Sequence, residues 1–219
     1  MIEREQLKYN YKGNDPVFWT SDTHFSHRRI IEYTNRPFSS IEEMNESLIN
    51  NWNSVVPEDG TVFHLGDFAF GTPAQWEEIR SRLNGHIHLI LGNHDLKNWT
   101  EHKERLLEIF DSVCHKRYVQ VGNRRFLMNH EPLLTYSGVY REKNPVIQLF
   151  GHCHLSTAPR GLDTTRLEVC FPTQYDVGVD LNNFTPISYH KLVERIELQR
   201  ETSTNVMRWT NVEQQPDSK

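Results

Sequence analysis

Five short polar clusters each follow an apolar run that is typical of a β-strand. They are Asp22-Thr23-His24, Gly66-Asp67, Gly92-Asn93-His94-Asp95, Asn129-His130 and Gly151-His152-Cys153-His154. Side chains of the types that bind metals therefore recur where strands are predicted to end. In open α/β sheets, binding sites form in the crevice beyond the carboxyl ends of the strands. The clusters thus predict one assembled site rather than scattered polar turns.

The composition limits the range of functions. The chain has 219 residues, 12 histidines and a formal net charge of −5. It therefore lacks the basic character of proteins that bind duplex nucleic acid, although a nucleotide or a strand end held by a metal centre stays compatible with it. Apolar runs are shorter than the ~20 residues of a membrane span, and the first residues lack the charged-then-apolar order of a signal peptide. We expect a cytoplasmic protein with no membrane partner.

Strand-like and helical segments alternate in the first half of the chain. Alternation of this kind indicates parallel strands with helices packed outside them. The second half changes to a β-hairpin that turns at Gly122-Asn123, and it ends in an amphipathic helix over Ser188–Leu198. Strands are predicted at Val17–Thr20, Val62–Leu65, Ile87–Leu91, Val146–Phe150, Arg166–Cys170 and Asp176–Asp180.

Two helix starts carry capping sequences. Ser40-Ile41-Glu42-Glu43 has the pattern of a capping box, and Thr72-Pro73-Ala74-Gln75 places proline at the first helical position. A third helix is predicted from about Thr100 to Phe110. Because no repeat or linker interrupts the chain, we expect one domain over residues 1–201 and a frayed polar tail over residues 202–219.

The spacing inside the clusters suits shared cations. Side chains at positions i and i+2 of an extended chain point to the same face, so Asp22 and His24 can meet one ion. The same spacing pairs His152 with His154 and turns Cys153 away. For each cluster alone, the alternative is an ordinary polar turn in which a side chain caps local N–H groups. Five such turns in a row are a less economical explanation than a single metal site.

The remaining clusters add other ligand types. The carboxylate of Asp67 has two oxygens and can bridge two ions ~3.5–4 Å apart. Asn93 offers a neutral carbonyl oxygen, and His94 can donate a proton to a substrate oxygen. A lone strand-end histidine such as His130 is more often structural than ligating. A mixture of carboxylate, amide and imidazole without paired cysteines suits Mn, Fe, Zn or Ni better than a closed structural zinc site.

The order D-x-H, G-D, G-N-H-D, H and G-H-x-H resembles the calcineurin-like metallophosphoesterase superfamily. Ser21-Asp22-Thr23-His24-Phe25 and Val177-Gly178-Val179-Asp180 resemble its small, cap-free bacterial and phage members. The resemblance implies an α/β fold, a four-layer αββα sandwich of two mixed β-sheets flanked by helices, with the metal site at the strand ends. It departs from many relatives where Phe68 follows Asp67 in place of another acidic residue, and mildly at Asp95, where relatives have Glu or Asp.

The resemblance also implies roles for single residues. A hydroxide held between two divalent ions, most simply Mn²⁺ with Fe, Zn or Ni as alternatives, would attack the phosphorus of a phosphate ester. His94 would act as the acid toward the leaving oxygen rather than bind metal. One ion would be held by Asp22, His24 and His154, the other by Asn93, His130 and His152, with the catalytic Asp67 between them.

Substrate contacts are predicted from position alone. His27 follows the first cluster and can contact phosphate or remain a surface histidine. Arg36 can hold phosphate through its forked guanidinium or pair with Glu42 and Glu43. Long segments near strand ends often carry function, which nominates Tyr136 and Tyr140 in one segment and Arg160 in another. His64, His86 and His88 are predicted to be structural.

The predicted activity is a metal-dependent phosphodiesterase that acts on a nucleotide, a cyclic nucleotide or a nucleic-acid end. The alternative is a non-catalytic metal-binding scaffold with the same fold. Such a scaffold should have lost ligands or the acid histidine, and all of these positions are intact.

Overall fold

Two five-stranded sheets form the centre of the fold, which a computed structural model describes for residues 7–9, 16–154 and 170–202. The strands are β1 (Leu7–Tyr9), β2 (Val17–Thr20), β3 (Thr61–His64), β4 (His86–Ile90), β5 (Ser112–Cys114), β6 (Lys116–Val121), β7 (Arg124–Asn129), β8 (Val146–Phe150), β9 (Gln174–Asp176) and β10 (Ile187–Ser188). The described helices are α1 (Arg28–Tyr33), α2 (Ile41–Val55), α3 (Pro73–Ser81), α4 (Leu96–Ile109) and α5 (Tyr189–Thr202).

Both sheets are mixed. In the first sheet, β2, β3, β4 and β5 run parallel, and β10 pairs antiparallel with β2. In the second sheet, the order is β1-β6-β7-β8-β9, and only β6 and β7 pair antiparallel. That pair is the predicted hairpin, with Val121 opposite Arg124 across the two-residue turn. The predicted α/β fold of two mixed sheets flanked by helices is confirmed.

Alternate residues of the first sheet enter two different cores. Trp19 and Phe63 join the apolar cluster between the sheets, whereas Phe18 and Val62 pack in the cluster that includes α2, α3 and α4. A strand buried on both faces reads as a continuous apolar run, which is how these strands are recognisable in the sequence. Full burial of each such side chain stabilises the fold by ~1.5–3 kcal/mol. The two cores hold the carboxyl ends of β2, β3 and β4 in fixed register.

The helix starts follow their sequences closely but not completely. Thr72 and Gln75 form the reciprocal capping box at α3. At α2 the Ser40 hydroxyl accepts from the backbone N–H of Glu43, but the Glu43 carboxylate accepts from Ser39 rather than Ser40. The prediction for α4 was wrong by one turn, because the helix begins at Leu96, directly after the G-N-H-D cluster. The short helix α1 was not predicted, since no side chain caps it.

The last two predicted strands have different outcomes. Residues 166–169 of the predicted strand Arg166–Cys170 lie outside the described residues. The strand predicted over 176–180 is instead β9, ending at Asp176, and Gly178 forms an isolated bridge with Ser21. This bridge joins the two sheets at the edge where the clusters lie. The division into a domain over 1–201 and a tail over 202–219 stays a prediction.

Candidate metal centre and active site

The loops that follow β2, β3, β4, β7 and β8 meet at one edge of the two sheets. The backbone N–H of Asp22 donates to the Gly66 carbonyl at 2.9 Å, and that of His24 donates to the Asp67 carbonyl at 3.0 Å. On the second sheet, the N–H of Gly151 donates to the His130 carbonyl at 2.9 Å. The ladder of each sheet therefore continues beyond the strands and sets the loops side by side.

The ligand-type residues do not lie on extended chain, which corrects the i and i+2 interpretation. Five of them have left-handed backbone, with φ of 57° at Asp22, 48° at His24, 54° at Asp67, 66° at His152 and 49° at His154. Such conformations cost ~1–3 kcal/mol each for residues other than glycine and persist only where the surroundings enforce them. Sharp turns at the strand ends, rather than the pleat, direct these side chains inward.

Glycines allow the carboxylates to come close to neighbouring backbone. A Cβ atom at Gly92 would overlap the carboxylate of Asp67, and a Cβ atom at Gly151 would overlap that of Asp22. Only a residue without a side chain can sit at these two points. The glycines of the G-N-H-D and G-H-x-H clusters therefore shape the space into which Asp67 and Asp22 project.

The residues form two adjacent groups of ligand atoms. Asp22, His24 and His154 form one group, and Asp67, His130 and His152 form the other, with the ligand atoms of each group within 4.8 Å of one another. The Oδ1 atom of Asn93 lies 3.1 Å from Nε2 of His130 and 3.0 Å from Nδ1 of His152, so it belongs with the second group.

Asp67 lies between the two groups. Its Oδ2 atom is 3.5 Å from Nε2 of His24 and 3.4 Å from Nε2 of His130. Its Oδ1 atom accepts a hydrogen bond from the backbone N–H of His94 at 2.9 Å. One carboxylate thus faces a histidine of each group, which is the position that a bridging ligand requires.

The donor atoms fit divalent cations. Nε2 of His24 is buried and has no hydrogen-bond partner, an arrangement that is costly unless another group satisfies the atom. Nδ1 of His130 donates to the Leu65 carbonyl at 2.7 Å, which fixes the ring so that Nε2 is the nitrogen that faces Asp67. The same fixed orientation is typical of metal-binding histidines.

The buried charges favour a cation at this position. Burial lowers the pKa of His24, with further lowering from His154 and Arg36, so this imidazole is neutral and able to ligate. Burial opposes protonation of His130 as well, but hydrogen bonding and charge from Asp67 and the charge of Asp22 outweigh it and raise the pKa. The two carboxylates therefore attract positive charge, which a divalent ion supplies.

Two buried side chains that were not predicted as part of the site hold the loops together. The Asp95 carboxylate accepts from the backbone N–H groups of Asp67 at 2.8 Å, Gly92 at 2.8 Å and Phe68 at 3.1 Å. His64, predicted to be structural, accepts from the Gly66 N–H through Nδ1 at 3.2 Å. Its Nε2 therefore donates to the Thr23 hydroxyl at 2.9 Å. In the sequence, the role of Asp95 was indicated by its position in the third cluster.

Arg36 lies beneath the site rather than in it, so both interpretations of this residue were wrong. Its side chain is fully buried, and Nε and Nη2 each donate to an Asp180 oxygen at 2.9 Å. It also donates to the backbone carbonyls of Asp22 at 2.7 Å and Thr23 at 2.9 Å. With these acceptors in place, the guanidinium faces neither substrate nor the acidic start of α2.

A cleft of about 490 Å³ opens over the two groups. His27 lies in it, stacked on Phe70 with ring centroids 3.7 Å apart and an interplanar angle of 14°. A contact of His27 with phosphate stays a prediction. Burial lowers the pKa of His27 to about 4, so the ring is neutral near pH 7. The cleft is lined by His24, His27, Arg29, Ile30, Tyr33, Thr34, Asp67, Phe70, Asn93, His94, His152, Cys153 and His154.

The other predicted substrate contacts do not line this cleft. Tyr136 is buried among Leu127, Val139 and Val146, and its hydroxyl lies 3.0 Å from that of Thr173. Tyr140 is 58% exposed and packs its ring against Phe171, away from the cleft. Arg160 lies outside the described residues.

One wall of the cleft, named here the α1 wall, was missed by sequence reasoning. It comes from α1 and the loop after β3, and it includes Arg29, Tyr33 and Phe70. The adjacent arginines 28 and 29, close after the first cluster, were the only sequence signal for it.

His94 stands at the edge of the cleft. Its side chain is exposed, and its ring centroid lies 5.4 Å from that of His24 and 5.1 Å from that of Phe70. It belongs to neither group of candidate ligands in the described chain. The ring is therefore close to His24 of the first group and open to a bound molecule.

The sequence profile of the calcineurin-like phosphoesterase family matches residues 16–181. The chain belongs to this family. An uncharacterized protein of Methanocaldococcus jannaschii is 33% identical over 184 residues, which are 83% of this chain and 91% of that protein. The Gene 66 protein of Mycobacterium phage L5 is 41% identical over 82 residues, which are 36% of this chain and 39% of the phage protein.

One solved structure shares the fold. The crystal structure of AQ665, a protein of unknown function from Aquifex aeolicus, superposes with a TM-score of 0.62 at 25% identity and covers 83% of this chain and 99% of that one. Within the described residues, no helix has the length and apolar character needed to cross a membrane.

Proposed function

We propose that this family member is a dinuclear, metal-dependent phosphodiesterase. The observation that carries the proposal is the position of Asp67, whose Oδ2 atom lies within 3.5 Å of a histidine from each ligand group. Two divalent cations held there would lower the pKa of a bound water and would offset the charge that develops on a phosphoryl group. Mn²⁺ is the proposed metal, with Fe, Zn and Ni as alternatives, because the donors are carboxylate, amide and imidazole.

The candidate ligands are assigned by group. Asp22, His24 and His154 hold one ion, whereas Asn93, His130 and His152 hold the other, and Asp67 is shared. The fit rests on the unpartnered Nε2 of His24 and on the orientation of His130 by the Leu65 carbonyl.

His94 protonates or hydrogen-bonds the leaving oxygen. Its backbone N–H is fixed to Asp67 at 2.9 Å, and its exposed ring projects into the cleft beside the ligands. A positioned general acid contributes ~10²–10⁴-fold to the rate of such a reaction. The loop holds the backbone of His94 in place, while the exposed ring can contact a substrate.

The substrate is a nucleotide, a cyclic nucleotide or a nucleic-acid end. This part of the proposal is supported by the α1 wall, where Arg29 can pair with phosphate and Tyr33 is 48% exposed for stacking. His27, stacked on Phe70, adds a neutral imidazole to the same wall. A small anionic ester with a ring system fits these side-chain types, and a cytoplasmic location suits such a substrate.

Hydrolysis of bis-p-nitrophenyl phosphate tests the activity. The chelator-treated protein should be inactive and should recover turnover on addition of Mn²⁺. A screen of cyclic nucleotides, dinucleotides and nucleic-acid ends with the manganese-loaded protein then identifies the substrate. Two bound ions without turnover of any ester, with Mn²⁺, Fe²⁺, Zn²⁺ or Ni²⁺, would instead establish the metal-binding scaffold.

A further inference from the structure

The two candidate metal groups differ in what stands behind their histidines. Nδ1 of His154 lies 2.8 Å from Oδ2 of Asp180, a carboxylate that is 3% exposed. Nδ1 of His130 donates instead to a neutral backbone carbonyl, that of Leu65. A carboxylate acceptor fixes the imidazole tautomer and makes the far nitrogen more basic than a carbonyl does. The group of Asp22, His24 and His154 therefore has a charged support that the other group lacks.

Arg36 holds this support in place. Its guanidinium meets both oxygens of Asp180 at 2.9 Å, and its side chain has no exposed surface. The same guanidinium donates to the carbonyl of Asp22 at 2.7 Å. Asp22 and His154, two members of one ligand group, therefore both contact the buried ion pair of Arg36 and Asp180. Asp22 and Asp180 lie far apart in the chain.

The ion pair is also balanced in charge. The Asp180 carboxylate is paired through both oxygens with the guanidinium of Arg36, and both side chains are buried. Loss of the carboxylate would leave the buried charge of Arg36 uncompensated beside the cation. Removal of Asp180 thus loosens His154 and adds repulsion at the same group.

The second group has weaker support. His152 is exposed, and its Nδ1 points into the site toward Asn93 and His130. Within the described residues, no carboxylate is placed against its other nitrogen as Asp180 is against His154. Asp67 faces both groups, so it does not account for a difference between them. The difference in support therefore lies with Asp180 and Arg36.

We propose that Asp180, held by Arg36, is a positioning residue that makes the two metal sites unequal, so that the site of Asp22, His24 and His154 binds its ion more tightly. The proposal requires that the chain binds metal as proposed above, but it does not require catalysis. Asp180 acts through His154 and contacts neither substrate nor ion.

Titration of the full-length, metal-stripped protein with Mn²⁺ tests the proposal, with free Mn²⁺ counted by electron paramagnetic resonance. The wild type should bind two ions in two separable steps. Asp180→Asn should weaken the tighter step about 10–100-fold and leave the other within about threefold. Asp180→Glu, which keeps the charge, should recover part of the loss.

The chain offers a matched control in Asp111. Its carboxylate lies 2.9 Å from Nδ1 of His86 and 3.9 Å from Arg80, the same three side-chain types at a distance from the cleft. Asp111→Asn should leave both steps unchanged. Identical titrations for wild type and Asp180→Asn, or equal weakening of both steps, would overturn the proposal.

A direct readout remains if Asp180→Asn does not fold. In the Zn²⁺-loaded wild type with ¹⁵N-labelled histidine, the proton of His154 should reside on Nδ1 and be protected from solvent exchange. Metal-bound His154 without that proton would overturn the proposal. Two unequal sites in a protein that hydrolyses no ester would refute the proposed function alone, and a wild type that binds no ion would refute both.

Discussion

The two walls of the cleft are built in different ways. The metal-ligand wall consists of loops locked by buried groups, such as Asp95 with its three backbone donors and His64 between two loops. The α1 wall includes a six-residue helix with no side-chain cap, and Tyr33 of that helix is about half exposed. The first wall is rigid because these buried groups tie each loop to its neighbour. The second has few such ties, which suits a surface that selects among substrates.

Substitution of the bridging ligand should have the largest effect. Asp67→Asn removes the charge that both ligand groups share, so we expect loss of at least one ion and a fall in turnover of ~10³-fold or more, since metal ions supply several kcal/mol of charge stabilisation. Elemental analysis and turnover of bis-p-nitrophenyl phosphate measure these effects. Asp59→Asn, on an exposed turn, is the control. Full two-ion occupancy in Asp67→Asn would contradict the bridging role.

Substitution of the proposed acid should separate chemistry from metal binding. His94→Ala should keep both ions and lower turnover by ~10²–10⁴-fold. His102→Ala, which removes a half-exposed histidine of α4, should change neither quantity. Wild-type turnover in the metal-loaded His94→Ala protein would remove His94 from the mechanism.

A substitution that loosens the metal-ligand wall should lower the free energy of unfolding. Asp95→Asn replaces an acceptor of three backbone N–H groups with a side chain that has one acceptor oxygen. Each buried donor left unpaired costs ~1–3 kcal/mol, so we expect the free energy of unfolding of the metal-free protein to fall by about 3 kcal/mol. Urea denaturation measures it against Asp59→Asn, and an unchanged midpoint would show that the wall is held by other contacts.

The smallest effect should come from a substitution in the α1 wall. Tyr33→Ala should leave metal content and kcat unchanged and should raise KM about 5-fold or more for nucleotide substrates, because stacking of a base on an aromatic ring is worth ~1–3 kcal/mol. Tyr140→Ala removes a comparably exposed tyrosine outside the cleft and is the control. Equal KM values for wild type and Tyr33→Ala would place base recognition elsewhere.

Prediction from sequence reached furthest where a feature depends on neighbours along the chain. Each cluster follows its strand directly, so the apolar run and the polar residues after it identify Asp67 or His130 without knowledge of the fold. Even for these clusters, the sequence did not predict the backbone conformation, because the left-handed backbone at Asp22 and His24 depends on hydrogen bonds to the neighbouring loop. Prediction failed for side chains whose partners are distant: Arg36 meets Asp180 across 144 residues, and Tyr136 turned out to be a core residue.

By itself, the sequence determined the strand-end clusters, the α/β pattern and the residue types available to bind metal, because these depend on hydrophobic periodicity and on neighbours along the chain. Only the tertiary structure decided that Asp67 faces both ligand groups, that Asp180 supports one of them, and that Tyr33 rather than Tyr136 lines the cleft. Those outcomes depend on how two sheets and their loops pack in space. That packing depends on many contacts between residues that are far apart in the sequence, and a short stretch of residues does not specify them.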